Sequence, residues 1–296
     1  MSTASSPTGC GTALATPFAS SGAIDESALR RFVDWQIDEG IDFLVPCGST
    51  GEAATMSLAE HRRVVEIVVE QARGRVPVVA GAGSNDTEKA IALSRDLKEA
   101  GATHLLHVAP PYSRPPQRGM ALHFRSIADA VDLPIILYNV PSRTGINIEA
   151  ATTIELAKHP GIVGTKEASG LLPQITDIIV GRPAGFAVLS GDDEMTLAIC
   201  ALGGDGLISV ASNAAPRLMS DLVRAARAGD ADRARELHQR ALPLMRVASV
   251  ESNPIPIKAA LTMLGRFQSV LRSPLVPLES RHEGVVRSAL QHAGAL

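Results

Sequence analysis

Lys166 is the residue of this sequence whose type and position most clearly allow chemistry. It ends the apolar run Gly161–Thr165 and is followed at once by a second charged residue, Glu167. A lysine at the end of a buried strand aims its amine past the carboxyl end of that strand. Burial disfavours the ammonium form, lowers the pKa and leaves a neutral amine that can form an imine. The alternative is a lysine that closes a strand and extends into solvent, which is the more common case.

Tyr138 and Tyr112 are the two tyrosines of the chain, and both lie where an apolar run ends. A phenol can pass protons to and from a forming imine if hydroxyl groups hold it in place, and Thr50 could supply one. The alternative for Tyr138 is a core tyrosine whose hydroxyl meets a backbone carbonyl. The position of both tyrosines at strand ends favours a functional role.

Two further motifs could bind carboxylates. Gly48 and Gly51 flank Ser49 and Thr50. The backbone there can therefore approach a ligand and present N–H groups to an anion, although such a segment can equally be only a turn. Arg143, within Pro-Ser-Arg-Thr-Gly, offers a planar fork that matches a carboxylate, although most exposed arginines are simply solvated.

The scaffold that the sequence predicts for these residues is a (β/α)8 TIM barrel. Eight short apolar runs alternate with helical patterns, as expected for buried strands separated by helices. The runs are Thr12–Ala15, Phe43–Pro46, Val76–Ala80, His104–Val108, Ile135–Tyr138, Ile162–Lys166, Ala187–Ser190 and Gly206–Val210. In such barrels function lies at the carboxyl ends of the strands. An open doubly wound sheet is the alternative, but no Gly-x-Gly-x-x-Gly motif follows the first run.

Helix signals complete the expected organisation. Capping boxes are predicted at Ser57/Glu60 and Asn85/Glu88, and left-handed glycines at helix ends at Gly40 and Gly101. After Val210 the strand signal ends, and helices are predicted at 220–229, 230–247, 254–264 and 279–293. We therefore predict a catalytic barrel over 1–226 and a C-terminal helical domain over 227–296.

Composition limits the possible functions. Of the 296 residues 45% are hydrophobic but only 3% aromatic, so packing must rest on aliphatic side chains. The net charge of −3 is spread along the chain, which argues against a nucleic-acid partner. The start, Met1 to Gly9, has no signal-peptide pattern, no apolar stretch is long enough for a membrane span, and the three cysteines are widely separated. We expect a cytoplasmic protein without a metal or an organic cofactor.

The motifs together resemble the dihydrodipicolinate synthase family of the pyruvate-dependent class I aldolase and lyase superfamily. The resemblance runs from about Gly11 to the C-terminus through Gly-Ser-Thr-Gly-Glu, Tyr-Asn-Val-Pro-Ser-Arg-Thr-Gly, Thr-Lys-Glu-Ala-Ser-Gly, Ser-Gly-Asp-Asp, Gly-Leu-Ile-Ser-Val and Asn-Pro-Ile-Pro-Ile-Lys. It implies condensation of pyruvate with L-aspartate 4-semialdehyde, the 4-hydroxy-tetrahydrodipicolinate synthase reaction of lysine and diaminopimelate biosynthesis.

The resemblance also implies the catalytic roles. Lys166 would form the Schiff base with pyruvate, and Tyr138, Thr50 and Tyr112 would form the proton relay. In the family the tyrosine that matches Tyr112 reaches into the neighbouring subunit's site. A dimer would then be the smallest catalytic unit, and a homotetramer, built as a dimer of dimers, the usual assembly.

The substrate contacts follow from the same resemblance. Backbone groups of Ser49 and Thr50 would hold the pyruvate carboxylate, while Gly191 and the carbonyl of Ile208 would shape the site. Arg143 would bind the carboxylate of L-aspartate 4-semialdehyde. The residues themselves add one expectation: Asp192, Asp193, Glu194 and Asp205 would repel a phosphate group, so an unphosphorylated substrate is expected.

Two classes of alternative function remain. The first is a related pyruvate-dependent aldolase, such as N-acetylneuraminate lyase or 4-hydroxy-2-oxoglutarate aldolase. The family's usual Thr-Thr pair is Ser49-Thr50 here, as is common in the N-acetylneuraminate lyases. Arg143 favours the dihydrodipicolinate synthase reaction over these aldolases, because the aldolases lack an arginine at the matching place. A non-catalytic keto-acid-binding paralogue is the alternative of another class. It would have no need for the relay of Tyr138, Thr50 and Tyr112.

Residues that bind the feedback inhibitor lysine in many bacterial members differ in this chain. Leu58 replaces a histidine, Lys89 a glutamate and Pro111 a tyrosine, while His61 and Asn85 remain. A cationic Lys89 would repel the ammonium groups of lysine where an acid would attract them. The sequence therefore predicts weak or absent inhibition by lysine.

Overall fold

The computed structural model describes residues 6–296. Residues 1–5, part of the start for which no signal peptide is predicted, lie outside the described residues. Within 6–296, eight parallel strands form one sheet in the order β2-β1-β8-β7-β6-β5-β4-β3. The strands are β1 (Gly9–Ala13), β2 (Phe43–Val45), β3 (Val79–Gly81), β4 (His104–Val108), β5 (Ile135–Asn139), β6 (Ile162–Glu167), β7 (Ala187–Ser190) and β8 (Gly206–Ser209).

The sheet closes into a barrel between β2 and β3. The bridge Leu44–Val78 joins them in parallel, and the Gly81 N–H donates to the Pro46 carbonyl. The predicted (β/α)8 TIM barrel is confirmed. β4 and β7 have the predicted bounds, and the other strands differ at their ends by up to three residues. β3 begins later than predicted, after Pro77, a residue that has no N–H for the strand ladder.

Helices cover the outside of the barrel and continue beyond it. In the described chain they are α1 (Glu26–Asp38), α2 (Leu58–Ala72), α3 (Thr87–Glu99), α4 (Gln117–Ala130), α5 (Pro141–Thr144), α6 (Ala150–Leu156), α7 (Leu172–Gly181), α8 (Thr196–Ala201), α9 (Pro216–Arg227), α10 (Ala231–Val247), α11 (Ile255–Met263) and α12 (Glu283–Ala293). Short 3-10 turns lie at Ala53–Thr55, Ala211–Asn213 and Ser280–His282.

The local signals explain most of the helix boundaries. Ser57 and Glu60 form the predicted capping box at α2. The box predicted at Asn85 and Glu88 is wrong by one residue: Asp86 is the N-cap of α3, and its carboxylate accepts from the Lys89 N–H. Asp and Asn are about equally good N-caps, so the pattern alone could not choose between two adjacent candidates. The predicted left-handed glycines are confirmed, with φ of +89° at Gly40 and +92° at Gly101.

Two apolar layers hold the fold together. The barrel interior is a cluster that includes Phe43, Leu106, Ile136, Leu189 and Ile208. A larger cluster lies between the sheet and the surrounding helices. Because side chains alternate across a strand, each strand supplies residues to both layers. A side chain whose register neighbours belong to the inner cluster therefore points into the barrel.

The C-terminal helices pack directly on the barrel. α10 contacts α9 and α12, and α11 contacts α12. α9 begins at Pro216, earlier than the predicted 220, because a proline fits the first turn of a helix, where its missing N–H is not needed. The predicted division into 1–226 and 227–296 stays a prediction.

Candidate active site

Lys166 and Tyr138 are neighbours across two strands. Lys166 on β6 is in register with Tyr138 on β5 and with Leu189 on β7. Both neighbours belong to the inner cluster, so the Lys166 side chain also points into the barrel. Its Nζ lies 4.3 Å from the centroid of the Tyr138 ring. The structure thus brings together the two residues that the sequence predicted as nucleophile and proton donor.

Burial changes the acid–base behaviour of Lys166. The residue is only 5% exposed, and burial lowers the pKa of its amine from 10.5 to about 8. The negative charge of Asp193 opposes this shift, and the positive charge of Arg143 adds to it. A far larger fraction of the amine is therefore neutral near pH 7 than in an exposed lysine.

Tyr138 is shifted in the opposite sense. Burial raises the pKa of its phenol to about 12, while the charge of Arg143 acts to lower it. The hydroxyl therefore stays protonated at neutral pH and can donate a proton. A buried proton donor beside an amine of lowered pKa is the arrangement that imine formation and hydrolysis need.

A polar contact on the outer side of the sheet holds this register. Asn139 and Glu167, the next residues on β5 and β6, are also in register and point away from the interior. Asn139 Nδ2 donates to both Glu167 carboxylate oxygens at 3.1 Å, and both residues are fully buried. A slip of one residue would bury these groups unpaired and turn Lys166 outward. Neither residue was predicted as part of the site, although the charge of Glu167 beside Lys166 was visible.

The loop after β2 presents free backbone donors, among them those of Ser49 and Thr50. Within residues 6–296 the N–H groups of Ser49 and Thr50 have no hydrogen-bond partner, whereas those of Gly51 and Glu52 donate to carbonyls of the same loop. Glu52 holds a left-handed φ of 57°, a costly conformation for a residue other than glycine. Ser49 and Thr50 line the cavity that contains Lys166. Adjacent free N–H groups of this kind can hold a carboxylate.

Arg143 lies across the same cavity. It belongs to the single turn α5, which directly follows β5, and its guanidinium is exposed. Its Nη2 donates to the main-chain oxygen of Asn253 at 3.3 Å. The remaining guanidinium N–H groups are available to a carboxylate of a bound ligand.

Gly191 makes room beside Lys166. A Cβ at this position would lie 3.0 Å from Lys166 Cγ and 2.8 Å from the Ala168 side chain. Asp193, the second of the two aspartates that follow Gly191, is buried. Its carboxylate accepts from the Ser209 hydroxyl at 2.5 Å and from the Val210 N–H at 3.0 Å. The sequence had used this acid only as an argument against phosphate. The structure makes it the nearby negative charge that raises the pKa of Lys166.

Most, but not all, of the predicted site residues line one cavity. A cavity of about 290 Å³ is lined by Ser49, Thr50, Tyr138, Arg143, Lys166 and Gly191, among others. Ile208 lies below it in the barrel interior, and Val210 lines the wall instead. Tyr112 does not line this cavity: it follows β4 with 91% of its surface exposed.

Fold and site define a class of protein: a (β/α)8 barrel with a buried, imine-competent lysine at the carboxyl end of its sixth strand. A sequence profile described as the dihydrodipicolinate synthetase family matches residues 6–293. The chain belongs to this family.

Individual relatives match over nearly the whole chain. The 4-hydroxy-tetrahydrodipicolinate synthase of Koribacter versatilis is 50% identical, over 97% of this chain and 96% of the relative. The crystal structure of dihydrodipicolinate synthase from Aquifex aeolicus has a TM-score of 0.95 and 42% identity, over 97% of this chain and 98% of that one. A chloride-inhibited dihydrodipicolinate synthase from Acinetobacter baumannii, complexed with pyruvate, has a TM-score of 0.96 and 40% identity, over 98% of this chain and 100% of that one.

Proposed function

We propose that this chain condenses pyruvate with L-aspartate 4-semialdehyde to form 4-hydroxy-tetrahydrodipicolinate, through an imine between Lys166 and pyruvate. The observation that carries the proposal is the Lys166 amine, which is buried, has a pKa of about 8 and lies 4.3 Å from the Tyr138 ring centroid. The names of the similar proteins and the pyruvate in the Acinetobacter baumannii complex support the choice of substrates.

The reaction follows from the groups around the cavity. The neutral Lys166 amine attacks the keto carbon of pyruvate, and loss of water gives the imine. Loss of a methyl proton gives the enamine, whose carbon attacks the aldehyde carbon, and the aldehyde oxygen takes up a proton to become a hydroxyl. The amino group of the second substrate then attacks the imine carbon, closes the ring and releases the Lys166 amine. Tyr138, protonated at neutral pH, passes the protons together with Thr50.

The substrates are held at opposite sides of the cavity. The free N–H groups of Ser49 and Thr50 bind the pyruvate carboxylate, which leaves the keto carbon facing Lys166. Arg143 binds the carboxylate of L-aspartate 4-semialdehyde. Gly191 keeps the space beside the Lys166 side chain open. Ile208 supports the floor of the site from the barrel interior rather than from its wall.

Reductive trapping tests the imine. Protein mixed with pyruvate and reduced with borohydride should gain the mass of one pyruvate, less one water and plus two hydrogens, on Lys166. The Lys166→Ala variant should gain nothing. A wild-type protein that turns over both substrates without ever giving the adduct would sink the proposal.

Arg143 distinguishes the second substrate. Arg143→Ala removes the group that binds the carboxylate of L-aspartate 4-semialdehyde. Loss of a charged hydrogen bond worth about 1.5–3 kcal/mol should raise KM for this substrate roughly tenfold to a hundredfold. The pyruvate adduct should still form. Undiminished turnover of L-aspartate 4-semialdehyde in this variant would instead favour a related aldolase, such as N-acetylneuraminate lyase or 4-hydroxy-2-oxoglutarate aldolase.

Tyr112 is proposed to complete the site of a neighbouring subunit in a homotetramer. Its 91% exposure and its position outside its own cavity support this role. Mixing Lys166→Ala subunits with Tyr112→Phe subunits tests this role. In each mixed dimer, the site that keeps Lys166 receives an intact Tyr112 from the other subunit. Random exchange of subunits should therefore restore about one quarter of all sites. Two inactive variants that stay inactive when mixed would contradict the exchange of Tyr112.

Inhibition by L-lysine is proposed to be weak or absent. Leu58, His61 and Lys89 line one cavity of about 730 Å³, and Leu58 is 72% exposed there. The lysine cation would meet the cationic Lys89 rather than an acid. Activity should persist at millimolar L-lysine, and Lys89→Glu should increase the sensitivity. Complete inhibition of the wild type at that concentration would refute the proposal.

The cytoplasm is the proposed location. Cys10, Cys47 and Cys200 are free and buried, which fits a reducing compartment. None of the helices in the described residues is both long and apolar enough to cross a membrane. Fractionation of cells that express a tagged chain would test the location.

A further inference from the structure

The segment from Asn253 to Lys258 contributes to the active site, although it lies outside the predicted barrel. Asn253 lines the same cavity as Lys166 and Tyr138. The helix α11, which contains Lys258, begins two residues later at Ile255. The reaction as described above assigns this segment no role, so its contacts need an explanation.

Asn253 holds two groups of the site at once. Its side-chain Nδ2 donates to Thr50 Oγ1 at 2.8 Å. Its main-chain oxygen accepts from Arg143 Nη2 at 3.3 Å. One residue therefore touches both the relay threonine and the arginine that would bind the second substrate.

The contact with Thr50 sets the direction of a proton. A hydroxyl that accepts from an amide N–H must turn its own hydrogen to another partner. Within residues 6–296 the structure gives Thr50 Oγ1 no other hydrogen bond. The Thr50 hydrogen is thus left free for the cavity, as a relay group requires.

Lys258, at the other end of the segment, contacts the loop that carries Thr50. Lys258 Nζ donates to Glu52 Oε1 at 2.6 Å, and both side chains are fully buried. Glu52 Oε2 accepts from the Arg272 N–H at 3.1 Å. The loop that carries Thr50 is therefore held at two points by one short segment, by Asn253 at Thr50 and by Lys258 at Glu52. Such double support restricts the position of the Thr50 hydroxyl.

We propose that Asn253 is a positioning residue of the condensation reaction, which directs the Thr50 hydroxyl through its side chain and holds Arg143 through its main chain. The inference rests on the proposed function, since Thr50 and Arg143 have their roles there. Because only the Thr50 contact uses the side chain, replacement of Asn253 should affect the relay and spare the binding of the second substrate.

Two substitutions separate the loss of the donor from other effects. Asn253→Asp keeps the size of the side chain but offers an acceptor in place of the N–H donor, and Asn253→Ala removes the group without adding charge. Each should lower kcat about tenfold or more. In Asn253→Ala, KM for L-aspartate 4-semialdehyde should stay within about twofold, because the main-chain contact with Arg143 remains and no charge is added. Val250→Ala, at an exposed position three residues earlier that lines no part of the site cavity, is the matched control and should leave kcat unchanged.

A double-mutant cycle asks whether Asn253 acts through Thr50. In a Thr50→Val background, Asn253→Ala should cause no further loss of kcat, because the hydroxyl that it directs is gone. Losses that multiply, or wild-type kcat in Asn253→Asp, would overturn the inference. Thermal melts and the borohydride adduct on Lys166 verify that each variant folds. If the wild type forms no adduct, the proposed function fails. If the adduct forms but the effects of Asn253→Ala and Thr50→Val on kcat are independent, this inference alone fails.

Discussion

The pH dependence of imine formation is the most direct test of the environment that the fold gives Lys166. Burial lowers the pKa of the amine from 10.5 to about 8. That shift raises the neutral fraction at pH 7 about 300-fold, from ~0.03% to ~9%. Because the neutral amine is the attacking species, the rate of imine formation should follow this fraction.

The rate can be measured by mixing protein with saturating pyruvate, quenching with borohydride at timed intervals and weighing the protein. It should rise about tenfold per pH unit on the acid side of pH 8 and level off above it. Lys166→Ala supplies the blank. A rate that is flat between pH 6 and 9, or one that continues to climb beyond pH 10, would refute the argument that burial sets this pKa.

The two charges near Lys166 provide an internal control of sign. Asp193 raises the pKa of the lysine and Arg143 lowers it. The midpoint of the pH profile should therefore move to lower pH in Asp193→Asn and to higher pH in Arg143→Met. Arg233→Gln, which removes a charge from an exposed ion pair with Glu236, should leave it in place. Shifts of Asp193→Asn and Arg143→Met in the same direction would contradict the electrostatic account.

Three further substitutions probe the surroundings of the site. Lys258→Met leaves the fully buried carboxylate of Glu52 without its cationic partner and should lower the unfolding free energy by about 3–5 kcal/mol in chemical denaturation. Gly191→Ala places a methyl group 2.8 Å from the Ala168 side chain and 3.0 Å from Lys166 Cγ, so both kcat and the melting temperature should fall. Tyr138→Phe keeps the ring but loses the hydroxyl, so kcat should fall about 10²- to 10⁴-fold, and a smaller loss would remove Tyr138 from the relay.

The barrel could be predicted because its signals are local. Each apolar run is short and ends at Gly, Pro or a polar turn, so β4 and β7 have the bounds that the sequence indicated. The same runs place Lys166 and Tyr138 near strand ends. The apolar runs do not reveal how neighbouring strands align. The alignment of β5 with β6 brings Asn139 to Glu167, a residue 28 positions later in the sequence. Such a pairing depends on the closed sheet, so periodicity along one strand cannot reveal it.

The charges that tune Lys166 were likewise hidden by their sequence context. Asp193 follows another acid in Ser-Gly-Asp-Asp, a pattern that equally suits a solvated loop. Only the tertiary structure buries it against the N–H groups of Val210 and Ala211. Burial of a carboxylate is what turns a surface charge into one that acts on a neighbouring pKa. The sequence could predict Lys166 as a candidate nucleophile, but not the residues that set its protonation.

The C-terminal helices bear on the site more directly than the predicted division at 226/227 implies. Asn253 meets Thr50 across 203 positions of sequence, and Lys258 meets Glu52 across 206. A barrel without this segment would leave the buried carboxylate of Glu52 without its lysine, at the end of the loop that presents the N–H groups of Ser49 and Thr50. Since an unpaired buried charge is strongly destabilising, that loop could not keep its conformation. Asn-Pro-Ile-Pro-Ile-Lys therefore supports the loop that carries Thr50 through two contacts, and we expect the functional unit to extend at least to Lys258.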